Sequence, residues 1–210
     1  MKKRSAITLI LIALILVGSI LAACSSSQES LPQPEETSVK SPVPETQAST
    51  LTAKLAGLDL NEFYEISFKE LMMRDPEGVL AQGLADVYGL EGAELTDISD
   101  TYIRETQQMY VVVLDILHSF DRETLSSEEQ VSYDVYEWYL DDMVRGGEFM
   151  YYDYPATFFP VTAVHEGVLY FFTDLHPLAD LQDAENYVSR LEKVDTKFEQ
   201  LLEGLRLRED

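Results

Sequence analysis

DAENYVSRLEKVDTKFEQLLEGL, residues 183–205, is the stretch that decides the fold. Tyr187, Leu191, Val194, Phe198, Leu201 and Leu205 recur at spacings of four, three, four, three and four, which lays one apolar stripe along a helix. Asp183 stands where a helix cap is expected. Glu199, Glu203, Arg206 and Arg208 fall on the opposite side, toward solvent. The same period runs back through the chain. Leu60, Phe63, Tyr64, Phe68, Leu71 and Met72 predict a helix that stops near Arg74. Asp75-Pro76 then supplies the cap and first residue of a short helix over roughly 76–88, with Gly89 and Gly92 at its end. Ser99 or Asp100 caps the next helix, which runs to about Phe120 and buries Tyr102, Met109, Val113, Ile116, Leu117 and Phe120. The surrounding period outweighs the strand propensity of Val111-Val112-Val113.

Ser126-Ser127-Glu128-Glu129 reads as a capping box, Ser126 reaching forward to Glu129 and Glu129 reaching back. The helix it opens carries Val131, Val135, Trp138 and Met143 and ends at Gly146-Gly147. Residues 149–160, with Phe149, Tyr151, Tyr152, Tyr154, Phe158 and Phe159, read as irregular aromatic chain. A short helix over about 163–174 and a turn at His176-Pro177 follow. The expected fold is all-α, with five or six helices, little or no sheet and no internal repeat.

Ahead of these helices the chain changes character. Met1-Lys2-Lys3-Arg4 precedes an apolar run from about Ile7 to Leu21, and Leu21-Ala22-Ala23-Cys24 closes it. A basic start, a short apolar core and small residues before a cut site describe an export signal. Cys24 is the one cysteine in the chain, which predicts a bacterial lipoprotein: cleavage before Cys24 and acylation of its thiol with diacylglycerol and palmitate-type chains. Residues 1–24 then hold the signal peptide and the lipobox that ends it at Cys24, 25–51 form a tether and 52–210 a helical domain. The tether carries Ser25-Ser26-Ser27, four prolines and no aromatic residue, too little apolar surface to offset the entropy of ordering it. Such a protein is exported and anchored to the cell membrane or outer membrane through its acyl chains. A single cysteine also rules out an internal disulfide, so the core alone must hold the domain.

The full chain has 15 basic and 38 acidic residues, a formal charge of −23. Losing Lys2, Lys3 and Arg4 with the signal leaves 12 against 38, or −26. That charge repels phosphate backbones and excludes nucleic acid as a partner.

Motifs for chemistry are sparse. His165-Glu166-Gly167-Val168-Leu169 begins like the zinc-peptidase helix His-Glu-x-x-His, but Leu169 replaces the second imidazole, and only His118 and His176 remain elsewhere. Asp97, Asp100 and Glu105 lack the alternating loop of a calcium site, and Asp97, Ser99 and Asp100 read as capping residues. Asp141-Asp142 and Glu128-Glu129 read as solvated helix face. There is no Gly-rich phosphate loop and no Gly-x-Ser-x-Gly elbow. Tyr151, Tyr152, Tyr154, Phe158 and Phe159 are the candidates either for a peptide or sugar groove or for core packing. No catalytic, metal or cofactor residue is predicted.

Longer strings carry a resemblance. Phe68-Lys69-Glu70-Leu71, Arg74-Asp75-Pro76-Glu77, Leu95-Thr96-Asp97-Ile98-Ser99-Asp100, Phe120-Asp121-Arg122, Ser132-Tyr133-Asp134-Val135-Tyr136-Glu137-Trp138-Tyr139-Leu140 and Phe171-Phe172-Thr173-Asp174-Leu175-His176-Pro177 resemble, in order, the opening of the bacterial domain of unknown function 885 family. Asp183-Ala184-Glu185-Asn186-Tyr187 and Arg190-Leu191 extend the likeness into the final helical stretch. Members of that family resemble mostly helical, zinc-dependent peptidases, many of them exported lipoproteins with longer chains. Their metal-binding stretch, a His-Glu followed by Pro-Gly-His, lies beyond the region that this sequence resembles, and His165-Glu166 does not align with it. The resemblance therefore implies the N-terminal helical part of a metallopeptidase-like protein, inactive alone, with zinc only in full-length relatives and the C-terminal half as a candidate partner chain. The alternative from another class is a complete, non-catalytic helical lipoprotein that binds a peptide or protein.

Overall fold

A computed structural model describes residues 45–90, 92–153, 155–156 and 163–209. Cys24, the signal peptide, most of the tether, Tyr154, Phe158 and Phe159 lie outside the described residues. Those residues form nine α-helices and no strand: α1 (Glu45–Leu55), α2 (Leu60–Met72), α3 (Pro76–Ala81), α4 (Ala85–Tyr88), α5 (Asp100–Leu117), α6 (Ser127–Gly146), α7 (Val164–Tyr170), α8 (Leu181–Leu191) and α9 (Val194–Leu207). The all-α expectation holds, and the helix count is higher than five or six for local reasons.

The domain begins earlier than residue 52, because α1 occupies part of the expected tether and buries Leu51 and Leu55 at 2% and 1% exposure. Two apolar residues one turn apart in a polar stretch gave too weak a period to reveal it. The helix expected over 76–88 is split into α3 and α4 at Gly83, which takes a left-handed φ of 68° that residues with a Cβ rarely adopt. The final helix is also two. Asp180, not Asp183, caps α8: its carboxylate accepts from Asp183 N at 2.9 Å, while Asp183 accepts from Ala179 N. The chain then tightens at Glu192-Lys193 before α9 starts.

Capping chemistry explains most other boundaries. Ser126 and Glu129 make the reciprocal box (Ser126 N donates to Glu129 Oε2 at 2.8 Å), Ser99 caps α5, and Asp75 accepts from Gly78 N ahead of Pro76. Asp59 and Glu62 form a second box that opens α2.

Two apolar cores result. The larger joins α1, α2, α5 and α6 through Leu51, Leu55, Phe63, Val113, Leu117 and Leu140. The smaller gathers Val168, Phe171 and Phe172 with Leu80, Leu95, Tyr187 and Val194. In it α7 runs into a π-turn, Phe171–Leu175, whose wider coil buries both phenylalanines.

The loop over 92–98 has no regular structure, and side chains take up its backbone groups. Arg190 donates to Glu94 O and Gly92 O, each at 3.1 Å, and Lys193 to Ala93 O at 2.8 Å. Gln200 accepts from Ile98 N, and Glu77 accepts from Thr96 N. Buried backbone polar groups need such partners. Lys197, 6% exposed, completes the clamp with a 2.6 Å ion pair to Glu77.

Candidate functional site

The site begins with α6, which is apolar over more of its circumference than it buries. Tyr133 and Leu140 face the core, and Tyr136 and Tyr139 pack at its margin. Val131, Val135 and Trp138, the residues that sequence periodicity assigned to this helix, are 63%, 62% and 69% exposed. Spacings of four and three put them in one solvent-facing ridge. Ser132 and Tyr136 lie beside that ridge, since Ser132 is three residues from Val135 and Tyr136 four from Ser132.

Between this flank of α6 and α2 is an open groove of about 330 Å³, lined by Tyr64, Glu65 and Phe68 of α2, Tyr88 of α4, and Ser132 and Tyr136 of α6. Ligand pockets span roughly 300–1,000 Å³, so the space suits one side chain of a larger ligand better than a nucleotide-sized cofactor. Ring packing sets its walls. Tyr64 and Tyr136 meet edge to face, 5.4 Å apart at 86°, and Phe68 and Tyr88 sit 6.4 Å apart at 58°.

Tyr136 is fixed from behind by a 2.9 Å hydrogen bond to the fully buried Ser67. Burial pushes its phenol up to about 12, and burial, with Tyr133, Glu129 and Asp134 nearby, also raises Tyr64. Both phenols are therefore neutral near pH 7, and the formal charge on the groove lining comes from Glu65. The Tyr64 hydroxyl is buried without a hydrogen-bond partner among the described residues. Sequence periodicity assigned Tyr64 and Phe68 to a buried stripe, and nothing local showed that Tyr88 and Tyr136 would stand opposite them.

The aromatic stretch expected after Gly147 is arranged differently. Tyr151 is half-buried, donates to Asp100 Oδ1 and accepts from Arg104 Nη2. The Arg104 and Arg208 guanidinium carbons stand 5.7 Å and 5.6 Å from its ring centre. Arg208, expected to face solvent, instead pairs with Asp153. Tyr152 is 77% exposed and meets Phe149 edge to face. Among the described residues this stretch offers one pinned ring, Tyr151, and one exposed edge-to-face pair, Phe149 and Tyr152.

The described residues do not gather as a zinc site requires. His165 Nε2 lies 3.8 Å from Glu166 Oε1 with both side chains exposed, and His118 pairs with Glu137 on another helix. Among the described residues no three His, Cys, Asp or Glu side chains gather where they would hold a metal ion. His176 is buried with Arg190. A guanidinium has only donors, so Arg190 Nη1 donates to His176 Nε2 at 2.7 Å, which places the imidazole proton on Nδ1, facing Pro177 O. Both imidazole nitrogens are occupied. Among the described residues no helix is long and apolar enough to cross a membrane.

No curated protein and no solved structure matches the chain. The α2 wall of the groove precedes the stretch that a family model covers, whereas Tyr88, Ser132 and Tyr136 fall within it. That model, described as bacterial protein of unknown function (DUF885), matches residues 76–210, more than half of the chain, and the chain belongs to this family.

Proposed function

We propose that the mature chain is a lipid-anchored, extracytoplasmic helical module that binds peptide in the α2–α6 groove and hydrolyses nothing by itself. The observation that carries this reading is the open aromatic groove beside the exposed Val131, Val135 and Trp138 ridge. Solvent-facing apolar residues in such a row mark surfaces that meet another molecule. A peptide laid along α6 places apolar side chains on the ridge and one side chain in the groove.

Trp138 is the sole tryptophan, so it reports on the ridge. Titrating the full chain, purified in mild detergent, with a random peptide pool should shift Trp138 emission to the blue and protect it from acrylamide. Unchanged emission and quenching at millimolar peptide would refute the reading. Anchoring at Cys24 has its own check: cells fed labelled palmitate should label the wild type and not Cys24→Ser, and an unlabelled wild type would remove the lipoprotein assignment.

A second reading is favoured by further exposed apolar residues on α8, Leu181, Val188 and Leu191 at 75%, 54% and 51%. On it the chain is the N-terminal helical part of a zinc-peptidase-like protein, and these residues pack against the remainder. The nucleotide sequence beyond codon 210 tests it: a frame encoding a His-Glu and Pro-Gly-His stretch supports it, and unrelated genes overturn it. Stoichiometric zinc with metal-dependent peptide cleavage by this chain alone would contradict both readings.

A further inference from the structure

The groove has a sign as well as a shape. Of the six residues that line it, four are aromatic, one is the serine Ser132 and one is the acid Glu65; none is basic. Aromatic faces carry negative potential, and the two ring pairs that wall the space meet at 86° and 58° rather than stacking face on face. The Glu65 carboxylate is exposed and has no ion pair or hydrogen bond among the described residues. The lysine that reaches α2 from α1, Lys54, is spent on Glu70 through two hydrogen bonds of 2.9 and 2.8 Å. On the α6 side the acids near Tyr64 are Glu129, held in its capping box, and Asp134, held by Arg122. The chain as a whole carries −23, a field that draws cations in.

An apolar side chain seated here would bury the rings but make no use of the exposed Glu65 carboxylate, whose basic neighbour on α2 is Lys69, one turn along. An anion would meet ring faces and a carboxylate together. A cation satisfies both at once, and an aromatic wall with one acid is the chemistry that recognises alkylated ammonium groups.

We infer that the groove is a cation-selective subsite that takes the basic side chain, lysine or arginine, of the bound peptide. This rests on the peptide-binding reading and adds the residue class to it. The charged head lies against Tyr64, Phe68, Tyr88 and Tyr136 with Glu65 as its counter-ion, and the flanking residues of the peptide lie along the α6 ridge. The groove is thus the specificity pocket and the ridge the general one.

Calorimetric titration of the full chain in detergent tests this with three otherwise identical blocked peptides, whose central residue is lysine, norleucine or Nε-acetyl-lysine. The lysine peptide should bind about tenfold more tightly than either neutral analogue. Glu65→Gln should remove most of that advantage by weakening the lysine peptide, and it should not weaken the norleucine peptide. Because Glu65 is exposed on α2, this variant should fold normally, and its circular dichroism should match the wild type. Tetramethylammonium chloride should compete with the lysine peptide better than sodium chloride at equal concentration. Equal affinity for the lysine and norleucine peptides would overturn the cation assignment and leave peptide binding standing. Equal displacement by the two salts would reduce the effect to the overall charge and overturn the subsite. Failure of all three peptides to bind, with Trp138 emission unmoved, would remove the peptide reading itself.

Discussion

Replacing Arg190 with methionine tests whether a buried guanidinium holds the second half of the domain together. Arg190 is 3% exposed, and burial lowers its basicity from the ordinary arginine value. It makes no ion pair with a carboxylate among the described residues; its partners are the Gly92 and Glu94 carbonyls and His176 Nε2. Two opposing terms set the outcome. Removing the charge ends a desolvation cost of several kcal/mol. Against that, three hydrogen bonds to a cation disappear, at about 1.5–3 kcal/mol each, and three acceptors lose their donor in a closed space. Methionine matches most of the stem volume, so the cavity contribution is small. The stranded acceptors win, and Arg190→Met should cost about 3–5 kcal/mol. For a chain of this size that lowers Tm by roughly 10 °C.

Thermal unfolding of the full chain followed by circular dichroism measures the total, and hydrogen exchange across 92–98 should show that loop losing protection first. Arg190→Lys should fall between the two, since one ammonium cannot reach three acceptors at these positions. An Arg190→Met variant with unchanged or raised Tm would refute the reasoning. It would mean that the guanidinium is a net burden and that the loop is ordered by Lys193, Glu77 and Gln200.

The same accounting applies elsewhere. Tyr64→Phe removes a buried hydroxyl that has no partner among the described residues, so urea unfolding should show a gain of about 1 kcal/mol; a loss of that size would mean that the hydroxyl is satisfied in solution. Trp138→Ser should change stability by less than about 0.5 kcal/mol, because the indole is 69% exposed; a core-sized loss would place it inside the fold. Burial opposes ionisation of Asp100, but hydrogen bonds from Arg104 and Tyr151 and the charges of Arg104 and Arg208 outweigh it and hold its carboxyl below the ordinary range. A depressed folded value means that the stabilising contribution is complete above the unfolded value of about 3.9 and is lost as pH falls through the folded one. Acid titration of stability should therefore be shallower below about pH 4 in Asp100→Asn than in the wild type, and identical curves would remove Asp100 from the acid response.

What could be read from sequence was what is decided within one turn of helix. The Ser126–Glu129 box, the Ser99 cap and the Asp75-Pro76 start depend on residues at most three apart, and each forms as expected. The breaks at Gly83 and at Glu192-Lys193 were less visible. Gly83 is one residue in an otherwise helical pattern, and the apolar period continues across 191–194 although the helix does not. The clamp on 92–98 was not visible at all. Arg190 and Gly92 are 98 positions apart and Lys197 and Glu77 are 120 apart, and no local pattern encodes such a pairing.

The α6 ridge is the most informative departure, because periodicity reports that a face is apolar and not what covers it. Val131, Val135 and Trp138 keep the four-and-three spacing of a buried stripe, yet the core is filled by Tyr133 and Leu140 on another side of the same helix. An amphipathic helix needs one apolar face to fold, and α6 has a second that the described residues leave in solvent. Burying three side chains of this size is worth several kcal/mol at about 25 cal/mol per Å², which suffices to favour a partner without holding it permanently. A charge of −23 argues that the second face is not a route to self-association, since a second copy would bring the same field with it. A partner that carries basic residues meets both conditions: apolar contact along Val131, Val135 and Trp138, and a cation for the groove beside them.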